Sequence, residues 1–325
     1  MFINRKIVQS VILGAAAFGL GHSASAQQAY PSKTVQVVVP WTPGQATDAA
    51  ARMAADKLSN AMGQTFVVEN KAGAGGTVGA AYVARTKPDG YTLLAGSTGS
   101  ITTGPLLNGA SYAAKDFAPV SLIATVPYVL VTRSDFPAKS AQELVDILVK
   151  NPDKYTFASS GVGSIGHLTA ELFTNRLGIK ATHIPYNGSA KALTDVMSGE
   201  VTFMFDSPTS IASHVQSGKV RAYAVSSKNR SQTLPDVPTV AETTALKDFD
   251  LIAWIGLLAP AGTPDSVLDA LNQQINANLV GQDVQNRYRT LGIDLATSTR
   301  ADMARVIADE NERVGNLLKT AGIKK

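Results

Sequence analysis

Few side chains in this sequence are of the types that carry out nucleophilic or metal-dependent chemistry. The chain has no cysteine, and no serine occurs in the G-x-S-x-G pattern of an α/β-hydrolase nucleophile. After residue 26 the histidines are His167, His183 and His214, and none belongs to a zinc-binding H-E-x-x-H motif. The sequence therefore predicts no metal site, no cofactor and no thiol nucleophile.

Asp48 and Asp206 are the side chains that could act as general bases. Asp48 stands where a helix is expected to begin, and an aspartate there more often caps the helix than catalyses. His167 follows a glycine-rich loop on a predicted helix, where a histidine is more often structural. An exported hydrolase that uses one of the two aspartates is therefore the weaker hypothesis, and the sequence predicts that the chain is not an enzyme.

The segment G-A-G-G-T-V-G at 73–79 has the look of a phosphate-binding loop. A dinucleotide fingerprint requires glycines at offsets zero, two and five, but Val78 occupies the last of these positions, and no Walker lysine follows. A tight turn packed against a neighbouring part of the protein explains the glycines better than a nucleotide site.

Five loops rich in glycine, serine and threonine indicate a binding site, at 41–48, 96–100, 159–164, 186–189 and 205–207. Each follows a predicted strand, and this edge of an open parallel α/β sheet carries the ligand crevice. Backbone N–H groups, hydroxyls and helix N-termini can hold an anion without a charged side chain. The five loops contain no lysine or arginine, and the nearest one is Lys191, just inside the helix that follows the fourth loop. The loops predict a cleft for a carboxylate held by neutral groups.

The elements that would position these loops alternate between strand and helix. The predicted strands are 34–39, which is rich in valine, 65–69 and 91–96. A helix capped by Thr47 or Asp48 and ended by Gly63 lies between the first two. A second block has strands at 128–133, 155–159, 182–186, 201–205 and 220–226, and a helix opened by the capping box at 140–143. Apolar strands between helices indicate mainly parallel sheets.

The C-terminal part begins with the apolar segment 251–258 and continues as helices to the end, with a break near Gly292. Thr263 is predicted to cap the first helix, with Pro264 in its first position. Two α/β blocks and this tail predict an α/β fold with two lobes. The expected division is 27–126 plus 251–325 for one lobe and 127–250 for the other, with crossings near 125–127 and 248–251.

The N-terminus has the three parts of a secretory signal peptide: basic residues at 5–6, an apolar run at 8–20 and small residues before a cleavage site after Ala26. The chain is therefore expected in the periplasm, and the missing cysteine excludes disulfides and a thiol-linked lipid anchor. Charged residues make up 17% of the 325-residue sequence, without a basic tract, so a nucleic-acid partner is not expected. We expect a monomer.

Short motifs in a specific order resemble the Bug family, the substrate-binding proteins of tripartite tricarboxylate transporters. They are Y-P-S-K at 30–33, V-P-W-T-P-G-Q-A-T-D at 39–48, V-E-N-K-A-G-A-G-G at 68–76, P-D-G-Y-T-L-L at 88–94, G-S-I-G-H-L at 163–168, P-Y-N-G at 185–188, F-D at 205–206 and A-P-A-G-T-P at 259–264. The resemblance extends over essentially the whole chain after residue 26.

The resemblance implies a type II periplasmic binding protein, in which two lobes close on a small organic carboxylate and present it to the transporter's membrane components. The binding residues that it implies are Trp41, Thr42, Thr47, Ser159, Ser160, Ser164, Tyr186, Gly188, Ser189 and Asp206. The strand-end loops and the matching motifs add Asp48, Ser97, Thr98, His167 and Phe205 to the predicted ligand-binding residues.

The chain departs from the family pattern at three places: Trp41 replaces a phenylalanine, Gln45 replaces a glycine, and Ser207-Pro208 replaces Asn-Leu. Trp41 offers a larger flat wall, which together with Phe205 and Trp254 could stack on a ring. We therefore favour an aromatic mono- or dicarboxylate such as terephthalate. The alternatives are an aliphatic di- or tricarboxylate and a ligand sensor for a signalling kinase.

Overall fold

The computed structural model describes residues 30–107, 109–231 and 233–320, so the predicted signal peptide lies outside the described part of the chain. The strands are β1 (Val35–Val39), β2 (Phe66–Asn70), β3 (Thr92–Ser97), β4 (Phe117–Pro127), β5 (Val129–Arg133), β6 (Tyr155–Ser159), β7 (Ala181–Pro185), β8 (Phe203–Asp206), β9 (Val220–Val225), β10 (Ile252–Pro260) and β11 (Asp294–Leu295).

The α-helices alternate with these strands and cover both sheets. They are α1 (Ala46–Met62), α2 (Thr77–Ala84), α3 (Gly104–Leu107), α4 (Ala141–Lys150), α5 (Ile165–Leu177), α6 (Ser189–Ser198), α7 (Pro208–Gln216), α8 (Val240–Thr243), α9 (Asp265–Asn278), α10 (Gln282–Thr290) and α11 (Arg300–Thr320). Among the described residues, none of these helices is both long enough and apolar enough to cross a membrane.

Two separate sheets confirm the predicted α/β fold class. The first has the order β11-β4-β10-β3-β1-β2 and the second β7-β6-β8-β5-β9. In the first sheet, β1 to β4 share one direction and β10 and β11 oppose them; in the second, β5 alone opposes the other four strands. Most strands of each sheet are therefore parallel in direction.

The opposing strands β5 and β10 come directly after the two places where the chain passes between the sheets. Apart from the two-residue β11, which runs in the direction of β10, the other strands run towards the edge where the sheets meet, so a strand that enters from that edge must run away from it. The crossings are joined by hydrogen bonds: Ser226 N–H donates to the Tyr128 carbonyl at 2.7 Å, and Leu251 N–H donates to the Ser226 carbonyl at 3.0 Å. The sequence did not indicate these reversals.

Two predicted helix starts are wrong, by one to three residues. Gln45, without a side-chain cap, precedes α1, so neither Thr47 nor Asp48 is the N-cap. Pro264 is itself the residue before α9, and the Thr263 hydroxyl donates instead to the Pro260 carbonyl at 2.8 Å. The predicted cap of α4 is confirmed, since the Ser140 hydroxyl accepts from Glu143 N–H.

The core consists of the apolar strand faces and the helices packed on them. Every residue of β1 except Gln36 is completely buried, and α1 packs its alanines and Leu58 on the first sheet. Around Phe157, Phe203 and Phe205 a second cluster fills the space between the other sheet and its helices. This burial holds the strand ends, and the loops that follow them, in fixed relative positions.

Candidate functional site

The loop between β1 and α1 carries Trp41, whose ring is held by its neighbours. Its indole N–H donates to the Ser97 hydroxyl at 3.1 Å. One edge of the ring lies so close to Gly76 and Gly99 that a Cβ atom on either would come within 3.1 Å and 2.8 Å of the indole Cζ2. Glycine at both positions is therefore what allows the larger ring to occupy this place.

Asp48 stabilises the same loop through hydrogen bonds. Its carboxylate accepts from Gly44 N–H at 2.9 Å and from the Asn70 amide at 2.8 Å, and it pairs with Arg52. The Asn70 amide also donates to the Trp41 carbonyl at 3.0 Å. Burial acts to raise the pKa of Asp48, but these donors outweigh it and hold the pKa below its usual value. Asp48 is thus a charged group that shapes the loop.

The serines of the loop after β6 either stabilise the loop and the next helix or reach the space between the sheets. The Ser159 hydroxyl accepts from Gly161 N–H at 3.2 Å and lies 2.7 Å from His183 Nε2, so it stabilises the loop from inside. Ser164 caps α5 by accepting from His167 N–H at 3.3 Å. Ser160 and Ser164 reach the space between the two sheets.

The loop after β7 leads into α6 through Gly188, whose φ of 108° is in the region that glycine adopts without strain. No side chain caps α6, and Ser189 is its first residue. The Tyr186 hydroxyl donates to the Asp195 carboxylate at 2.8 Å. This bond fixes the tyrosine ring beside the start of α6.

Asp206 ends β8 at the bottom of the cleft and is 3% exposed. One carboxylate oxygen, Oδ1, accepts from Ser207 N–H at 2.7 Å, and the other, Oδ2, has no hydrogen-bond partner among the described residues. Burial raises the pKa of Asp206 to about 6, against the opposing effect of Ser207 N–H and of the Ser189 and Ser210 hydroxyls, which lie near the carboxylate but form no hydrogen bond of ordinary geometry with it.

These loops enclose a cleft between the sheets with two connected parts. The inner cavity has a volume of about 590 Å³, including space open to solvent, and is lined by Trp41, Gln45, Ala46, Thr47, Ser97, Gly99, Val126, Tyr128, Ser160, Ser164, Ile165, Ser189, Asp206, Ser207, Ser210, Ala253 and Ile255. The outer cavity, of about 1320 Å³ measured the same way, shares Trp41, Gln45, Ser160 and Ser164 with it and adds Thr42, 72–76, Gly161, Val162 and 186–188.

The lining has the chemistry of an anion site without cations. Helices α1, α6 and α7 all start in the inner cavity, and none has a side-chain cap. The first N–H groups of α1 and α6 and the surrounding hydroxyls are therefore available to an anion, whereas α7 begins with Pro208, which has no N–H, and Ser210 N–H donates to the Ser207 carbonyl at 3.0 Å. No lysine or arginine lines either cavity in the described ranges, and no group of acidic or histidine side chains there could hold a metal ion.

A model of the tripartite tricarboxylate transporter family receptor, TctC, matches residues 50–323. The chain belongs to the TctC family. BugT of Bordetella pertussis is 35% identical over 302 residues, which cover 91% of either protein. The solved structure of Rpa4515 of R. palustris with adipate has a TM-score of 0.84 and 34% identity and covers 91% of this chain and 99% of that one. The periplasmic binding protein BugD has a TM-score of 0.81 and 37% identity over 91% and 100% of the two chains.

Membership of the TctC family confirms the resemblance to the Bug proteins and the type II periplasmic fold. It makes the chain a solute-binding receptor of the tripartite tricarboxylate transporter family and confirms that it is not an enzyme, since the family and the similar structures are binding proteins. The hydrolase hypothesis is therefore wrong, and Asp48 and Asp206 are not general bases.

Ten of the predicted ligand-binding residues of this TctC receptor line the cleft. The inner cavity contains Trp41, Thr47, Ser97, Ser160, Ser164, Ser189 and Asp206, and the outer cavity adds Thr42, Tyr186 and Gly188.

Five others lie outside both linings. Asp48 and Ser159 stabilise their loops, and Thr98 is completely buried beneath β10, where its hydroxyl accepts from Trp254 N–H at 3.4 Å. His167 stacks on His183 in the second core, with 4.0 Å between ring centroids. Phe205 packs edge-on against Phe173 inside that core.

Several lining residues were missed because they lie outside the five loops: Val126, Tyr128, Ile165, Ser210, Ala253 and Ile255. Ser210 could have been found, since Pro208 in the first position of a helix signals that α7 begins there. Tyr128 follows the predicted crossing, which also points to the cleft. Ala253 and Ile255 belong to an apolar strand, and nothing in such a strand distinguishes a cleft residue from a core residue.

Proposed function

We propose that this TctC-family receptor captures a small organic carboxylate in the periplasm and delivers it to the membrane components of a tripartite tricarboxylate transporter. The observation that carries the proposal is the inner cavity, where three uncapped helices begin among hydroxyl groups. Helix N-termini favour an anion through partial positive charge and free N–H groups, and release it more readily than a paired arginine would. Residues 1–26 serve as the export signal, and the receptor acts as a monomer.

Capture takes place by closure of two lobes, 27–126 plus 251–325 and 127–250, around the crossings at Tyr128, Ser226 and Leu251. The Arg313 guanidinium donates to the Asp250 carbonyl beside the second crossing, and away from the crossings two hydrogen bonds among the described residues join the lobes. The Thr209 hydroxyl donates to the Leu291 carbonyl at 2.6 Å, and the Thr233 hydroxyl donates to the Arg289 carbonyl at 3.0 Å. Such a small number of polar contacts can be broken and re-formed as the cleft opens for its cargo.

The favoured cargo is an aromatic mono- or dicarboxylate such as terephthalate. Trp41 lines both cavities, and Tyr128 lines the inner one, so a planar ring would meet aromatic surface beside the helix starts. Phe205 and Trp254, which were also considered for stacking, are buried in separate core clusters and do not contribute. The stacking surface of the proposed site is therefore mainly Trp41.

An aliphatic dicarboxylate is the second candidate, because Rpa4515, which is similar over most of this chain, was solved with adipate. A calorimetric screen of terephthalate, benzoate, adipate, succinate and citrate distinguishes the two. We expect Trp41→Ala to lower the affinity for aromatic acids about tenfold or more and the affinity for aliphatic acids much less. Trp41→Phe should retain most of the preference for aromatic acids. Stabilisation by sugars or cations, with no response to any carboxylate, would refute carboxylate capture altogether.

A further inference from the structure

Asp206 is an unusual group to find in a cleft that suits anions. Its carboxylate is buried beside Ser189 and Ser210, which line the same inner cavity. Ser207 N–H occupies Oδ1, whereas Oδ2 has no partner in the part of the chain that the structure describes. A buried acceptor without a hydrogen-bond partner costs free energy. A ligand that donates a hydrogen bond to Oδ2 removes this cost and therefore binds more tightly.

The charge around Asp206 is not compensated by a basic side chain. No lysine or arginine lines the inner cavity within the described residues, and the other titratable group there is Tyr128. Burial raises the pKa of Tyr128, so this phenol remains neutral. With a pKa of about 6, Asp206 itself is mostly ionised at neutral pH. A second carboxylate placed next to it would be repelled, whereas a hydroxyl or amino group would be attracted.

We propose that Asp206 makes the receptor select carboxylates that also carry a hydrogen-bond donor, such as a hydroxyl or amino group, on the body of the molecule. This inference rests on the proposed function, since the donor belongs to the captured carboxylate, and among the aromatic acids proposed above it favours a hydroxy- or aminobenzoate over terephthalate, whose second carboxylate Asp206 would repel. The cargo's carboxylate lies at the uncapped helix starts, and its donor contacts Oδ2. An analogue without the donor would leave the buried carboxylate oxygen unpaired. The resulting loss of affinity is much larger than the loss that an apolar pocket shows for a ligand of slightly different size.

The opposite arrangement is a protonated Asp206 that donates to a second carboxylate of the cargo. It would require proton uptake on binding and would favour terephthalate over para-hydroxybenzoate. The two arrangements therefore predict opposite orders of affinity for the same acids.

The test is isothermal titration of two matched pairs at about pH 7.5, para-hydroxybenzoate against benzoate and malate against succinate. We expect the donor-bearing acid of the pair that fits to bind about tenfold tighter or more, without uptake of a proton when buffers of different ionisation enthalpy are compared. In Asp206→Asn the oxygen keeps the bond from Ser207 N–H and an amide donor replaces Oδ2. The preference should then fall below about threefold.

Glu310→Gln is the matched control. Glu310 is 5% exposed on α11, pairs with Arg313 and also has an oxygen, Oε1, without a hydrogen-bond partner among the described residues, but it does not line the cleft. The same acid-to-amide change there should leave the preference unaltered. Equal affinities within both pairs, or uptake of a proton with tighter binding by Asp206→Asn, would overturn the role of Asp206 while leaving carboxylate capture intact. If no carboxylate of either pair or of the screen binds, the proposed function itself fails.

Discussion

Replacing Gly99 by alanine should disturb the cleft through Trp41. Gly99 has ordinary backbone angles for an L-residue, so alanine fits the chain itself. The added Cβ would lie 2.8 Å from Trp41 Cζ2 and 3.1 Å from Cη2. Ordinary carbon contacts are about 3.5 to 4.0 Å, so the ring edge must move by roughly 1 Å.

The movement has two measurable costs. Over-packing of a well-filled site destabilises a protein by about 1 to 3 kcal/mol, which for a chain of this size lowers the Tm by about 2 to 5 °C. A ring displaced into the inner cavity also narrows it, and the bond from the indole to Ser97 is lost. We expect the affinity for the tightest carboxylate of the screen to fall about tenfold.

Urea unfolding of Gly99→Ala, Trp41→Phe and the double variant tests the cause. Phenylalanine lacks the part of the indole that reaches Gly99, so the second substitution should relieve the contact. We expect the double variant to be at least about 1 kcal/mol more stable than the sum of the single effects predicts. Gly315→Ala, where a Cβ meets no atom within 4 Å, is the control and should be neutral or slightly stabilising on its helix. Strict additivity of the two changes would show that Trp41 does not transmit the effect.

Three further substitutions probe the supports of the cleft. Asp48→Ala removes the acceptor of Gly44 N–H and of the Asn70 amide, so the free energy of unfolding in urea should fall by about 2 to 4 kcal/mol. The affinity for carboxylates should also fall, although Asp48 lines neither cavity. An unchanged affinity would contradict its role in shaping the loop. Burial and the nearby His167 lower the pKa of His183 from 6.5 to about 4, so the neutral ring stabilises the fold above pH 6.5 and this contribution is lost as the pH falls through about 4. His183→Gln should flatten the stability–pH curve in that window by about 1 to 2 kcal/mol, since the ring is partly exposed, and a curve of unaltered shape would refute the assignment. Gly292→Ala combines a φ of 70° with a Cβ at 2.4 Å from Pro208, and a loss of about 2 to 4 kcal/mol in urea unfolding is expected, whereas a neutral effect would mean that α7 shifts freely.

Much of the architecture was predictable because it depends on local patterns. Buried strands appear as valine-rich runs, Gly63 and Gly178 end their helices in the left-handed conformation, and Ser140 caps α4. The positions of the five loops followed from the same pattern, since strands that share a direction bring their carboxyl ends to one edge. The reversals of β5 and β10 were not predictable, because they depend on the side from which the chain enters each sheet.

The sequence by itself determined which loops surround the cleft and that their hydroxyls and helix starts suit an anion. Only the tertiary structure decided which side chain of each loop reaches the ligand space. Ser160 lines the cleft while its neighbour Ser159 faces His183, and Thr47 lines it while Asp48 faces Asn70. Adjacent residues of a strand or a helix point in different directions, and the partner that holds each one lies more than twenty residues away in the chain. Spacing along the sequence therefore places a loop at the site but cannot orient its side chains.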